Sequence, residues 1–349
     1  MRPLLTTCLV LGALAACLGV TLTQRNAGSA TPGAAASGQR PGVDRYAQTE
    51  IDQGDVLPLT AVRAPADTGE KAFEHVRTLV GFGARYTGMP GWTQQLEYIA
   101  AALEKLGLTV QRDTWTDRKE LKTFTNLSVS LPGKRKDRIV LACHHDTKCT
   151  TGHPDAEHNF PFVGANDGGS GVGLLLALAP VLAATEREAT IELVFFDGEE
   201  SLDWKWNDAA RALFGSKRFV KRQRDAELLG EAEPIRALVL LDMVGRTELH
   251  IQEELYSTTL LRRITWSAAV ATGNQKSFYR RAEAASDDHV PFLDVGIPAV
   301  DLIDLKDNPH WHNATDTLDN MSPKSLQIVA DVVLTMLPEI ERAYVVKKN

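Results

Sequence analysis

The chain has 349 residues, with 38 Lys and Arg against 45 Asp and Glu, a formal net charge of −7. That length allows one large domain or two modest ones with a sizeable core, and 44% hydrophobic with 24% charged residues is ordinary globular composition. No basic excess exists to neutralise a phosphate backbone, which argues against nucleic-acid binding, and no internal repeat or heptad run is present.

The N-terminus departs from this average. Met1-Arg2-Pro3 is a short positive leader, Leu4 to Leu22 is nearly all apolar or small, and charge returns at Arg25. Residues 1–22 therefore read as a signal peptide or an N-terminal membrane or lipid anchor. The protein is expected to be exported to the periplasm or cell envelope, touching the membrane through this segment alone. Leu14-Ala15-Ala16-Cys17 has the form of a bacterial lipobox, with Cys17 as the lipidated residue. Asn26 to Asp44 is rich in Gly, Ala, Ser, Pro and Thr, so 23–55 is expected to be a flexible linker and 56–349 the folded domain. Cys8 and Cys17 lie in the leader. An exported compartment permits a disulfide between the remaining Cys143 and Cys149, and the sequence leaves that pairing open.

Apolar spacing predicts helices over Glu70–Val80 and Thr93–Leu106, with Gly107 as the C-cap of the second. Leu108–Gln111 and Asn126–Leu131 read as short strands. Arg138–Cys143 is a continuous apolar run, as in a strand buried on both faces. A helix over Ser170–Ala183, a strand over Ala189–Phe196, a helix over Ala209–Arg222 and a strand over Ile235–Leu241 follow. Next come a helix over Leu255–Ala271, a strand over Ala299–Ile303 and a long helix over Ser322–Tyr344. Ser322-Pro323 offers the last helix a capping hydroxyl and a proline at its first position. This alternation predicts a single three-layer α/β/α domain with a twisted, mostly parallel (mixed) central sheet. In such sheets ligands bind beyond the carboxyl ends of the strands.

The acids and histidines fall at those ends. His144-His145-Asp146 follows one strand, and Asn166-Asp167-Gly168-Gly169 lies in the Gly-rich loop beyond it. Asp197-Gly198-Glu199-Glu200 follows the next strand, and Asp242 the one after. Asp287-Asp288-His289 and Trp311-His312 come near the C-terminus. Imidazole nitrogen and carboxylate oxygen are zinc donors, and of two adjacent glutamates one can bind metal while the other carries a proton. A single acid after a strand is more often a cap or a solvated residue. His145, His153, His158 and His310 read as ordinary loop histidines. The Gly-rich loop lacks the P-loop lysine and the Rossmann spacing, which argues against nucleotide.

The ordered set HxD, GxND, EE, DMxG and a late His, from about Phe73 to the C-terminal helix, resembles the zinc aminopeptidase and glutaminyl cyclase superfamily. The stretches LACHHDTK, FFDGEES with tryptophans after it, LFGSKRF, SDDHVPFLDVGIP and Trp311-His312 look like glutaminyl cyclases. The resemblance implies a zinc-dependent glutaminyl-peptide cyclotransferase that turns the N-terminal Gln of peptides or proteins into pyroglutamate with loss of ammonia; separately, a monomer is expected. It implies Asp167, Glu200 and His312 as zinc ligands. Glu199 becomes the general acid and base, with Asp242 and Asp288 in a carboxylate network beside it. Trp311 and either Trp204 or Trp206 wall the substrate pocket. One zinc is then expected. The alternative is an aminopeptidase, with two zincs bridged by Asp167 and with His144 and Asp242 on the second metal, Asp146 supporting. The cysteine of the cyclase family in the loop after Asp167 is replaced by Gly168-Gly169-Ser170-Gly171, so Cys143 has no partner there.

Overall fold

The computed structural model describes residues 48–346 apart from 205 and 207. The leader, Cys8, Cys17 and the linker up to residue 47 lie outside the described residues. Among those described, no helix is long and apolar enough to cross a membrane.

The central sheet has six strands. In chain order they are β1 (Gln111–Thr116), β2 (Thr123–Leu131), β3 (Arg138–His144), β4 (Thr190–Phe196), β5 (Ile235–Asp242) and, after two strands outside this sheet, β8 (Ala299–Ile303). Their spatial order is β1-β2-β4-β3-β5-β8. β1, β2 and β4 pair antiparallel, whereas β4, β3, β5 and β8 run parallel. The sheet is thus mixed and mostly parallel in its middle. Its helices are α1 (Thr68–Gly81), α2 (Pro90–Glu104), α3 (Ser170–Ala183), α4 (Phe214–Leu228), α5 (Thr259–Ala271), α6 (Val290–Asp294) and α7 (Pro323–Tyr344).

Alternation along the strands builds two cores. Ile139, Leu141 and Cys143 of β3 join Val239 and Leu241 of β5 in the larger cluster, with α3 and α7. Val140 and Ala142 face the other way, with Leu238, Leu240, Val220 of α4 and Phe292 of α6. The expected three layers follow from this two-sided burial. Ser170–Ala183 forms a helix over the expected span, and Ser322 caps α7 by accepting from the Lys324 N–H.

Some expectations need correction. The first strand begins where Leu108–Gln111 was expected to end, since Leu108 and Val110 pack against the core without joining the sheet. The helix expected from Ala209 begins at Phe214, after a short 3-10 turn and a left-handed Leu213. The stretch before Thr259 is not helical. Ile251–Glu254 forms β6, which pairs with β7 (Phe278–Glu283) in a separate two-stranded sheet. Both β6 and β7 mix apolar with charged residues, so periodicity did not reveal them. Residues 48–55, placed in the linker, are bonded to the body. Gln48 N–H donates to Leu255 O at 3.1 Å and Ile51 N–H to Glu253 Oε1 at 2.7 Å.

Gly171 shows how tightly α3 meets the sheet. A Cβ there would lie 2.4 Å from Leu241 O and 2.6 Å from Cys143 Cβ. Gly171→Ala is expected to destabilise the domain by about 1–3 kcal/mol, an overpacking cost, read as a lower urea midpoint at unchanged slope.

Candidate metal centre and active site

Four parallel strands ending at one edge assemble the site. His144 closes β3 and Asp242 closes β5. Gly198-Glu199-Glu200 leaves β4, and the chain beyond β8 brings Trp311 and His312. Asp167 comes from the loop before α3. Strand order places these loops side by side, and so residues from distant parts of the sequence converge.

Two sets of donor atoms result. Asp167, Glu200 and His312 form one, with ligand atoms all within 4.8 Å of one another, and His144, Asp167 and Asp242 form the second by the same measure. His312 Nε2 is 3.0 Å from Glu200 Oε1 and 3.5 Å from Asp167 Oδ2. His144 Nε2 is 3.0 Å from Asp242 Oδ1 and 3.3 Å from Asp167 Oδ1. Asp167 therefore stands between the two sets. Asp167 Oδ2 is buried without a hydrogen-bond partner among the described residues, and Glu200 Oε2 likewise has none beyond an ion pair with Lys148 Nζ at 3.4 Å. Buried carboxylates this close are costly unless a cation accompanies them, and a nitrogen-and-oxygen donor set suits zinc. The residues fit the metal.

The charges around the first set favour ionised ligands. Burial works to raise the Glu200 carboxyl, but His312 and Lys148 outweigh it and hold it well below the usual range. Lys148 is itself buried, with Nζ 3.4 Å from Glu200 Oε2 and donating to Ser201 O at 2.7 Å. At the second set, burial and the nearby Asp287 push Asp242 up to about 7 against the opposing His144. His144 is raised well above its ordinary value, because the charges of Asp242, Asp146 and Asp167 overcome burial.

Two further carboxylates fasten the ligand loops by their backbone. Asp146 accepts the Glu199 N–H at 3.1 Å and the Glu200 N–H at 3.2 Å. Asp316 accepts the Asn166 N–H at 2.8 Å and the Asp167 N–H at 3.0 Å. Each thus uses both oxygens on two successive amides. Asp146 meets His144 mainly through its backbone, its O lying 3.1 Å from His144 Nδ1. Gly168 makes room for this contact. Its φ is +76°, and a Cβ would lie 2.3 Å from Asp146 O. His312 also has a left-handed backbone, φ 50°, a strained conformation kept where its surroundings fix it.

Glu199 is 3% exposed beside this centre. Asp288 is fully buried, and Ser216 Oγ donates to its Oδ1. Burial and Asp287 raise its carboxyl well above the usual range. Asp287, adjacent in the same turn, is one of two acids, with Asp167, whose charge bears on Asp242. Sequence reasoning chose Asp288 and left Asp287 without a role, since neighbours in one motif are not separable by pattern.

Aromatic rings close the first set in. Trp311 stacks on His312 with centroids 4.4 Å apart, and Trp204 lies 5.9 Å from the same ring. Trp206 instead packs with Ala212 and Leu213 in a small buried cluster, so the structure brings Trp204 and not Trp206 to His312. His158 stacks on Trp204 at 3.9 Å and His153 meets it edge-on at 5.7 Å. These two loop histidines thus line the aromatic wall. His145 follows the end of β3 but is no ordinary loop histidine. It is fully buried behind β3, bonded to Gln95 and to Thr125 O, and burial pushes it down to about 4. His310 stays near the surface on Thr315. Cys143 and Cys149 are free thiols.

The sequence pattern of peptidase family M28 matches residues 126–337, more than half of the chain. The chain belongs to peptidase family M28. It is similar to a glutaminyl-peptide cyclotransferase-like protein of Bos taurus, 29% identical over 73% of this chain and 72% of that one. It is likewise similar to a glutaminyl-peptide cyclotransferase of Gloydius blomhoffii, 26% identical over 73% and 77%. Of solved structures, an Acidobacteriales bacterium glutaminyl cyclase aligns with TM-score 0.70 and 31% identity, covering 81% of this chain and all (100%) of its own. A Zn-dependent exopeptidase from Parabacteroides distasonis aligns at 0.68 with 25% identity over 81% and 99%.

Proposed function

We propose that this M28 member is a zinc-dependent glutaminyl-peptide cyclotransferase, converting N-terminal Gln of peptides or proteins to pyroglutamate with release of ammonia. The observation that carries it is the Asp167–Glu200–His312 donor set walled by Trp204 and Trp311, in a chain whose relatives are named glutaminyl cyclases. The leader over residues 1–22 supports placing the activity outside the cytoplasm.

In this reading Asp167, Glu200 and His312 hold one zinc. When bound it supplies Lewis acidity toward the side-chain carbonyl of the substrate Gln and stabilises the charge that develops there. Glu199 takes a proton from the attacking α-amine as the new N–C bond forms. It returns that proton to the amide nitrogen, which leaves as ammonia when its C–N bond breaks. Asp242 and Asp288 then form the carboxylate network beside Glu199. Trp204 and Trp311 exclude water, which favours the intramolecular amine over hydrolysis.

The assembled His144–Asp167–Asp242 set favours one other reading, an aminopeptidase with two zincs bridged by Asp167. Metal content separates them, with one zinc per active chain for the cyclase and two for the peptidase. Stripping the metal with a chelator should abolish ammonia release from a Gln peptide. Zinc should restore it, with the recovery complete at one equivalent. Ammonia release that survives a verified zinc-free preparation counts against a zinc cyclase.

A further inference from the structure

Beneath the site lies a cluster that the reaction as drawn does not use. Glu254, at the end of β6, and His289, which precedes α6, have fully buried side chains, and Glu254 Oε2 lies 3.1 Å from His289 Nε2. The other imidazole nitrogen, Nδ1, is 3.8 Å from Asp301 Oδ2 on β8.

Glu254 is saturated with donors. Oε1 accepts the Tyr256 N–H at 3.0 Å and the Ala285 N–H at 2.9 Å. Oε2 accepts the Ser257 N–H and the Ser257 hydroxyl, both at 2.7 Å. Burial works to raise its carboxyl, and His289 with these donors outweighs it, so the net direction is down. Burying polar side chains is costly, and apolar residues of similar volume often replace them without loss, so stability alone does not explain this pair.

The geometry offers another reason. One carboxylate touches both ends of the turn from Ala285 to His289: Oε1 accepts the Ala285 N–H, and Oε2 lies 3.1 Å from His289 Nε2, a close contact outside hydrogen-bond geometry. Asp287 and Asp288 sit between these two contacts. Asp287 Oδ1 accepts the Asp288 N–H at 2.6 Å, and Ser216 takes Asp288 Oδ1. Asp287 Oδ2 and Asp288 Oδ2 are buried with no hydrogen-bond partner among the described residues. Where those two oxygens point is therefore set by the turn that carries them and, for Asp288, also by Ser216.

We propose that Glu254 and His289 are positioning residues, a buried clamp that fixes the Asp287–Asp288 carboxylates for turnover; this rests on the cyclase reading above. Catalytic geometry tolerates little displacement, and a shift of about 1 Å can cost 10²-fold in rate.

The test uses the zinc-loaded enzyme with Glu254→Gln, His289→Gln and the double variant. We expect kcat on an N-terminal Gln peptide to fall about 10- to 100-fold, KM to stay within about twofold and zinc content to be unchanged. The double variant should lose no more than the worse single one, as members of one unit do. Ser257→Ala removes one donor to Glu254 and covers the case in which Glu254→Gln does not fold, with a kcat loss of about two- to fivefold. Variants that melt earlier yet keep wild-type kcat per zinc-loaded chain overturn the clamp, and so does a rise in KM alone. Failure of the cyclase reading looks different, because the wild type would then release no ammonia. If it cleaves a Leu peptide instead, kcat for that cleavage is measured in the same variants. The clamp then predicts the same fall in kcat, and an unchanged kcat overturns it.

Discussion

Glu199→Gln is expected to lower kcat on a Gln peptide by about 10²–10⁴-fold, the range for a lost general acid and base, with the zinc content of the protein unchanged. Glutamine keeps the size of the side chain but neither takes nor returns a proton. The backbone is not at risk, because the Glu199 N–H is held by Asp146 and not by its own side chain. Glu200 is the contrast. Its Oε1 lies 3.0 Å from His312 Nε2, inside the donor set, so Glu200→Gln should lose metal and activity together. Metal analysis beside single-turnover kinetics separates the two neighbours. Zinc lost from the Glu199 variant and kept in the Glu200 variant would reverse the roles.

The second large effect comes from a residue that touches no substrate. Asp316→Asn should weaken zinc binding by about 10–100-fold, as expected when an outer partner of a ligand is lost. The two Asp316 oxygens accept two successive N–H groups, those of Asn166 and Asp167. Asparagine offers one acceptor oxygen, and its NH2 would face the other N–H donor to donor. Burial and the nearby Asp167 push the Asp316 carboxyl up to about 7 against those two bonds. Because Asp316 lies four residues beyond His312, the same bonds fasten the His312 loop to the Asp167 loop. Competition for zinc with a calibrated chelator measures the effect. An unchanged affinity would mean that the Asp167 loop is held without Asp316.

Much of the fold was legible because its middle strands are buried on both faces. Runs such as Ile139–Cys143 and Leu238–Leu241 leave no polar alternative, and acids placed just after such runs mark a strand end that must meet solvent or ligand. β6 and β7 were not legible, since Gln252, Glu253 and Glu254 are polar residues buried by specific partners rather than by pattern. The same limit applied at the site. The motifs drew attention to Asp167, Glu200 and His312, whose residue types carry metal chemistry. Asp316 carries none by type, and its role appears only once two backbone N–H groups are seen on it. Trp204 and Trp206 differ by two positions, and only the turn, with Trp206 in a left-handed conformation (φ 53°), decides which one reaches His312. His145 looked like its neighbour His144 in sequence, yet it points to Gln95 and Thr125 in the interior.

The most direct measurement follows mass over time with the zinc-loaded enzyme and two peptides, one beginning with Gln and one with Leu. A cyclase removes the mass of one ammonia from the Gln peptide and leaves the Leu peptide intact, and that is the result expected here. Stepwise loss of the first residue from either peptide, with no ammonia-loss product, would contradict the account and make the assembled His144–Asp167–Asp242 set part of a two-metal peptidase.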